Sequence, residues 1–260
     1  MIAQPTPSSD NLLLGKGQVF FDRFDVNNLP TGLRHLGNVQ TFELTTTNSK
    51  LQKFSSMSAG APLYKEVNHN RVVSIKMVAD EFAPFNLALA LMGDLAALVQ
   101  AATAVVAESV MAVVLPGGYF KLSKLGPYTA VSVLFNAVAG VLGVDYQVVN
   151  AKAGVYQILP GTILTGPVTA SYTPTAYTSL NGPQIVGGGT SGVVTGKLVF
   201  VGDPMTGPSI LLEVWKANIA PDTAIGLISD AYGTLGLAAE VLDDTANHPS
   251  HPLFQTTYLP

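Results

Sequence analysis

Short segments in which apolar and polar residues alternate recur along the chain, separated by glycine, proline and asparagine. Within residues 39–47, for example, Phe42 and Leu44 stand between polar neighbours. Alternation with a period of two packs one face of a strand and leaves the other face in water. Comparable segments occur at residues 17–22, 72–78, 110–115, 119–122, 130–137, 146–149, 155–159, 196–201, 210–217 and 235–242. The chain is therefore predicted to be mainly β.

One short helix interrupts this pattern. Pro84 suits the first position of a helix, residues 85–92 are mostly good helix formers, and Gly93 supplies the end. Apolar side chains cover most of the surface of this segment, so the helix is expected to be buried on several sides. The predicted fold is a β-sandwich or barrel with one flanking helix.

The distribution of turns divides the chain into a core domain and an insert. Residues 1–107 and 181–260 are predicted to form one discontinuous domain, and residues 108–180 a small inserted sandwich-like β domain. Residues 48–70 show no sustained period and are predicted to be a long loop, a kind of connection that is usually functional or ordered by a partner. Residues 1–10 are predicted to be a flexible or partner-ordered arm, and the last dozen residues a polar tail.

The chain carries little charge for its size. Only 12% of its residues are charged and 48% are apolar, whereas an average soluble domain has about 25% charged residues. A monomer of this composition could hardly cover its surface with polar groups, so much of that surface is expected to be buried against other subunits. Asp94 and Glu108 interrupt the most apolar region, which leaves no run of about 20 residues for a membrane helix.

None of the usual catalytic or cofactor-binding patterns is present. His248 and His251 lie near Asp243 and Asp244, but Pro249 disfavours the helical spacing that would aim both rings at one ion. We therefore predict that the chain is not an enzyme and binds no cofactor or metal. The formal net charge of −4 argues against nucleic-acid binding, which needs a basic patch to neutralise phosphates. The absence of cysteine fits a protein matured in a reducing cytoplasm.

Several stretches share their order and spacing with a known protein family. Residues 11–25 look like the first strand of that family, and residues 84–93 form a helix that follows a long loop and a strand, as in the family order. Further similar stretches are Gly32, residues 36–38, 55–56, 143–148, 170–173, 199–207 and 221–242. In this order the chain resembles the major tail tube protein of long-tailed, siphophage-like bacteriophages.

The resemblance implies a structural virion protein. Its fold would be the tail-tube β-sandwich or barrel, and six copies would pack as a ring whose inner strands join into a continuous barrel. Rings would stack through loops and termini into a conduit for DNA ejection into the host. The implied partners are further copies, the tape-measure protein and the tail-terminator and tip proteins, while DNA passes through the lumen without specific binding and no membrane is involved. The implied location is the virion tail, assembled in the host cytoplasm.

The resemblance also indicates candidate functional residues. A lumen wall that lets DNA slide should be neutral or acidic, and Glu43, Glu213 and Glu240 are therefore predicted to include lumen-facing residues. Alternatively, these glutamates face solvent or a neighbouring subunit. Residues 48–70 and the N-terminal arm are expected to make contacts between rings. The candidate contact residues are Leu51, Phe54, Met57, Leu63 and Tyr64.

A second reading is a β-rich carbohydrate-binding or adhesin module of a virion or cell surface. Such a site usually places exposed aromatic side chains beside polar groups. The insert at residues 108–180 offers Tyr119, Tyr128, Tyr172 and Tyr177. Glycan binding by the insert would favour this reading, and self-assembly of the chain would favour the tube.

Overall fold

A computed structural model describes residues 8–57 and 59–259 of the chain, and residues 1–7 of the predicted N-terminal arm lie outside the described residues. This part of the chain is mainly β, as predicted. It has one α-helix, α1 (Pro84–Ala90), and a 3₁₀ turn at Ser9–Asn11. The strands are β1 (Gly17–Arg23), β2 (Arg34–His35), β3 (Val39–Phe54), β4 (Leu63–Ala79), β5 (Asp94–Ala97), β6 (Val105–Met111), β7 (Tyr119–Lys121), β8 (Tyr128–Phe135), β9 (Val138–Ala139), β10 (Tyr146–Asn150), β11 (Val155–Ile158), β12 (Val168–Pro174), β13 (Gln184–Gly187), β14 (Val194–Gly202), β15 (Ile210–Pro221), β16 (Leu235–Val241) and β17 (Phe254–Tyr258).

The strands are divided between two compact units. The larger unit contains the residues up to 95 and those from 186 onward, and the smaller unit contains residues 96–185. The smaller unit is longer at both ends than the predicted insert, residues 108–180. The boundary at residue 95 could not be predicted from the Ala-rich sequence that follows it, because β5 is recognisable as a strand only through its pairing with the distant β13.

The larger unit is built on an eight-stranded antiparallel sheet. The strand order is β2-β1-β14-β15-β16-β4-β3. The remaining strand, β17, shares one edge of β15 with β16: β17 pairs along residues 210–214 and β16 along residues 217–221. The prediction of a polar tail over the last dozen residues is therefore wrong, because Phe254 and its neighbours complete the sheet.

One face of this sheet holds the core of the larger unit. Directly paired residues point to the same side, and the register places Leu44, Ile75 and Ala239 together on that face. Phe42 stacks on Phe200 with 5.1 Å between ring centroids, so the sheet curls until β3 approaches β14. Burying a large apolar side chain as fully as Ile75 stabilises the fold by about 1.5–3 kcal/mol.

The helix α1 lies against β15 and β16. Pro84 occupies its first turn, as predicted, but the helix ends at Ala90 and not at residue 92. Leu89 is fully buried. The Asn86 Nδ2 group donates hydrogen bonds to the carbonyl oxygens of Leu36, at 2.8 Å, and Glu81, at 3.0 Å. These bonds fix the helix to the chain segments on either side of β3 and β4.

The smaller unit has a core of its own. Its two sheets have the strand orders β10-β11-β7 and β6-β12-β8-β9. Between them lie buried side chains that include Phe120, Phe135, Ile158 and Tyr172. The Tyr172 hydroxyl donates to the Glu108 carboxylate, and burial together with this hydrogen bond raises the pKa of Tyr172. A separate, well-filled core is what an independent folding unit requires.

Candidate assembly surface

The prediction of a long loop over residues 48–70 is wrong, because β3 and β4 continue through this region as a hairpin. The two strands pair down to Phe54 opposite Leu63. β16 pairs with β4 only from Ser74 to Ala79. We call residues 48–71 the hairpin arm, since from the facing pair Asn48 and Arg71 outward no other strand of the described residues pairs with these two. At about 3.3 Å per residue, its strands extend roughly 20–25 Å.

The hairpin arm holds large apolar side chains in water. All five candidate contact residues lie in it. Their exposed fractions are 66% for Leu51, 53% for Phe54, 81% for Met57, 49% for Leu63 and 68% for Tyr64. A concentration of exposed apolar side chains on a projecting element usually marks a surface that another molecule covers.

The two faces of the hairpin arm differ in how their polar groups are satisfied. On one face the Lys50 ammonium lies 2.6 Å from the Glu66 carboxylate, to which the Gln52 amide also donates. The hydrogen bonds from Lys50 and Gln52 lower the pKa of Glu66. On the other face Lys53 stands directly opposite Lys65. Like charges in a directly opposed pair are destabilising, so this second face is the one that would gain from an anionic partner.

The three candidate glutamates share the face of the large sheet that points away from its core. Glu43 pairs with Lys76, and Glu240 pairs with Ser74. Both side chains are exposed. Glu213 lies further along β15, where its carboxylate is 2.8 Å from the Lys197 ammonium and its side chain is 26% exposed. Glu43 and Glu240 therefore lie on an open polar surface, whereas Glu213 is part of a partly covered ion pair.

A row of polar side chains crosses this open surface. The register aligns Thr45, Ser74, Glu240, Asn218 and Thr195 across five neighbouring strands. The Thr195 hydroxyl donates to the Asn218 side-chain oxygen at 2.7 Å. The row offers hydrogen-bonding groups and one carboxylate but no cation. Such a surface can face water or a polyanion without binding the polyanion tightly.

The segment that precedes β17 packs over Trp215, an arrangement that the sequence analysis missed. The His248 ring stacks on the indole with centroids 3.8 Å apart, and the Asp244 carboxylate lies 2.8 Å from His248 Nδ1. Burial alone would raise the pKa of Asp244, but hydrogen bonds from His248 and Asn247 lower it below its ordinary value. The spacing of four residues between Asp244 and His248 was the sequence signal for this contact. The Asp244–His248 pair holds the segment before β17 against Trp215.

The tyrosines of the smaller unit do not form an open aromatic surface. Tyr172 is 2% exposed, and the hydroxyls of Tyr128 and Tyr177 donate to the carbonyl oxygens of Lys124 and Gly126. Of the four tyrosines named for the carbohydrate reading, only Tyr119 is mostly exposed, at 59%. Tyr128, Tyr172 and Tyr177 therefore stabilise the smaller unit from within and do not form a surface on which a glycan could stack.

Two other kinds of site are a metal centre and a membrane-spanning helix. Across residues 8–57 and 59–259, no group of three or more histidine, cysteine, aspartate or glutamate side chains is placed to hold a metal ion. Within the same ranges, no helix has the length and hydropathy needed to span a bilayer.

Comparison with known proteins identifies a family. A model described as "Protein of unknown function UCP028589" matches residues 12–254. This is nearly the whole chain, so the chain belongs to that family. A curated relative is the dehydrocurvularin exporter of Alternaria cinerariae, which is 29% identical over 136 residues. That match covers 50% of this chain, and the chain spans only 23% of the exporter's length.

Proposed function

We propose that this chain is a structural subunit that assembles with copies of itself into the stacked rings of a phage tail tube. The observation that carries the proposal is the hairpin arm, which projects beyond the sheet and ends in exposed apolar side chains such as Phe54 and Met57. Water disfavours exposed apolar surface by about 25 cal/mol per Å². Contact with another subunit would remove this cost.

The edge of the large sheet supports side-by-side packing. β3 is the last strand of the sheet, and over residues 39–46 its outer edge has no strand partner within the described residues. Beside this edge lies a groove of about 680 Å³ whose lining includes Phe42, Leu44 and Leu212. An unpaired edge is a template for a strand of another chain. A neighbouring copy at this edge would continue the sheet, as the closed ring of six copies implied by the resemblance requires.

The open polar surface would then form the lumen wall. Glu43 and Glu240 lie on it, and the only cation among the residues aligned with them is Lys76. A wall of this kind would repel phosphate groups or bind them only weakly, so DNA and a tape-measure protein could pass without being held. Glu213, in its ion pair with Lys197, is better suited to stabilising the sheet than to lining a channel.

Negative-stain electron microscopy of the purified chain tests the proposal. Striated tubes or annuli are expected, and sedimentation velocity should show the mass rising with concentration. A chain that stays a compact monomer at its solubility limit would overturn the proposal. The fold alone would survive that result, since neither core depends on a second copy.

A further inference from the structure

The hairpin arm is basic, whereas the rest of the chain is acidic. The arm contains Lys50, Lys53, Lys65 and Arg71 against the single carboxylate Glu66, a formal charge of +3. The whole chain has a formal charge of −4, so all other residues together carry −7. With the Lys50–Glu66 pair closed on one face, the opposed pair Lys53 and Lys65 dominates the other face.

Apolar side chains accompany these two lysines. Leu51 faces Val67 in the register, two residues along each strand from Lys53 and Lys65, and therefore lies on the same face. Leu51 is 66% and Val67 48% exposed. A complementary surface would offer carboxylates next to exposed apolar groups.

Such a surface lies at the opposite end of β4. The strand runs from Leu63, near the tip of the hairpin arm, to Ala79, a distance of about 50 Å at about 3.3 Å per residue. There, Asp80 and Glu81 follow β4, Asp222 follows β15, and Asp230 lies in the connection to β16. We call these four carboxylates the acidic pole. Lys76 offsets one of them through its contact with Asp222 at 3.3 Å, which leaves a net charge of −3.

The acidic pole also has exposed apolar groups. Residues 222–234, which connect β15 to β16, hold Leu227, Ile228 and Tyr232 with exposed fractions of 80%, 99% and 97%. A hollow of about 250 Å³ opens between this connection and Phe82. Carboxylates beside an apolar hollow at this end match the lysines beside apolar side chains on the hairpin arm.

We propose that the acidic pole, together with residues 222–234, is the receptor for the hairpin arm of another copy in the next ring. This inference rests on the proposed function and names the contact that would stack the rings. The lysine pair meets the carboxylates of the pole, and apolar side chains of the arm cover the hollow beside Phe82. Because the two surfaces differ and lie at opposite ends of one subunit, each copy can bind one copy above and one below, which produces an open-ended filament.

Disulfide trapping tests the contact, since the chain has no native cysteine. The double variant Lys65→Cys/Asp230→Cys should form a ladder of covalent multimers on a non-reducing gel after mild oxidation. Lys65 lies near one end of β4 and Asp230 in the connection beside the other end, so a bond between them can only join different copies. The matched control is Lys65→Cys/Asp203→Cys, because Asp203 is an exposed aspartate that follows β14 at the arm's own end of the sheet. This control should stay free of a ladder.

Charge reversal supplies the second measurement. Lys53→Glu/Lys65→Glu should raise the concentration needed for assembly on the order of a hundredfold, because it brings like charges together. Adding Glu81→Lys/Asp230→Lys should restore assembly. If the unaltered chain never assembles, the proposed function fails. If it assembles but the Lys65–Asp230 ladder and the rescue are both absent, only the receptor assignment fails. The receptor assignment would also fail if the unaltered chain bound duplex DNA and Lys53→Glu/Lys65→Glu lost this binding but still assembled.

Discussion

Removing the hairpin arm should abolish assembly and leave the subunit folded. The variant replaces residues 49–70 by Asn-Gly, a pair that suits the two-residue turn of a hairpin. Asn48 and Arg71 face each other in the antiparallel register, so this turn can close the shortened strands. The excised segment contains no buried side chain among its described residues.

The expected effect on stability follows from loop closure. Each doubling of a flexible connection costs about 0.6 kcal/mol, so shortening it from about 22 residues to 2 would stabilise the chain by at most about 2 kcal/mol. The hairpin arm is ordered, but an isolated two-stranded hairpin is only marginally stable, so losing its own hydrogen bonds costs little. The free energy of unfolding should therefore stay the same or rise by up to about 2 kcal/mol.

Urea unfolding followed by tryptophan emission measures this change. Trp215 is the only tryptophan of the chain and lies on β15 in the larger unit. Electron microscopy and sedimentation of the same sample report on assembly. Tubes formed by the shortened chain would refute the role of the arm. A loss of more than about 3 kcal/mol, the upper end of ordinary substitutions, would show that the arm belongs to the folding core.

Three further outcomes are expected. Leu51→Ser should weaken assembly in sedimentation, whereas the matched change Leu115→Ser, at a leucine of the smaller unit with a similar exposed fraction (63% against 66%), should not. Phe135→Ala should cost roughly 3–5 kcal/mol in the smaller unit by hydrogen exchange and leave the unfolding midpoint reported by Trp215 unchanged. Burial raises the pKa of Tyr128 to about 12, above about 10 when unfolded. The contribution of the neutral Tyr128 to the free energy of unfolding is therefore fully present below pH 10 and is lost as the pH rises through 12. The free energy of unfolding should fall less steeply over this range in Tyr128→Phe.

The elements that sequence reasoning located are those with one buried face. Phe42 and Leu44 alternate with polar neighbours because one side of β3 covers the core, and this alternation predicted the strand. The helix could be found from Pro84 and its apolar residues, since start signals and helix formers are local features. Mainly β structure with one helix thus follows from short-range patterns.

The elements that were missed depend on contacts distant in sequence or have no buried face. The hairpin arm is surrounded by water on both faces, so Lys53 and Lys65 can occupy strand positions without any periodic signal. β17 becomes a strand through pairing with β15, whose paired residues lie 40 to 48 positions earlier. The same limit applies to the candidate site. Glu43 and Glu240 could be named from charge and strand assignment, but the register was needed to place them on one surface.

The small number of charges is consistent with the head-to-tail assembly that we propose. Apolar contact alone stabilises an interface without deciding which ends meet, because it has no sign. Charge has a sign: two hairpin arms of +3 repel each other, as do two acidic poles, whereas an arm and a pole attract. Head-to-head dimers are therefore disfavoured and head-to-tail stacking is favoured. If charge is needed mainly at these two ends, the flanks can be apolar enough for the proposed packing against neighbouring copies.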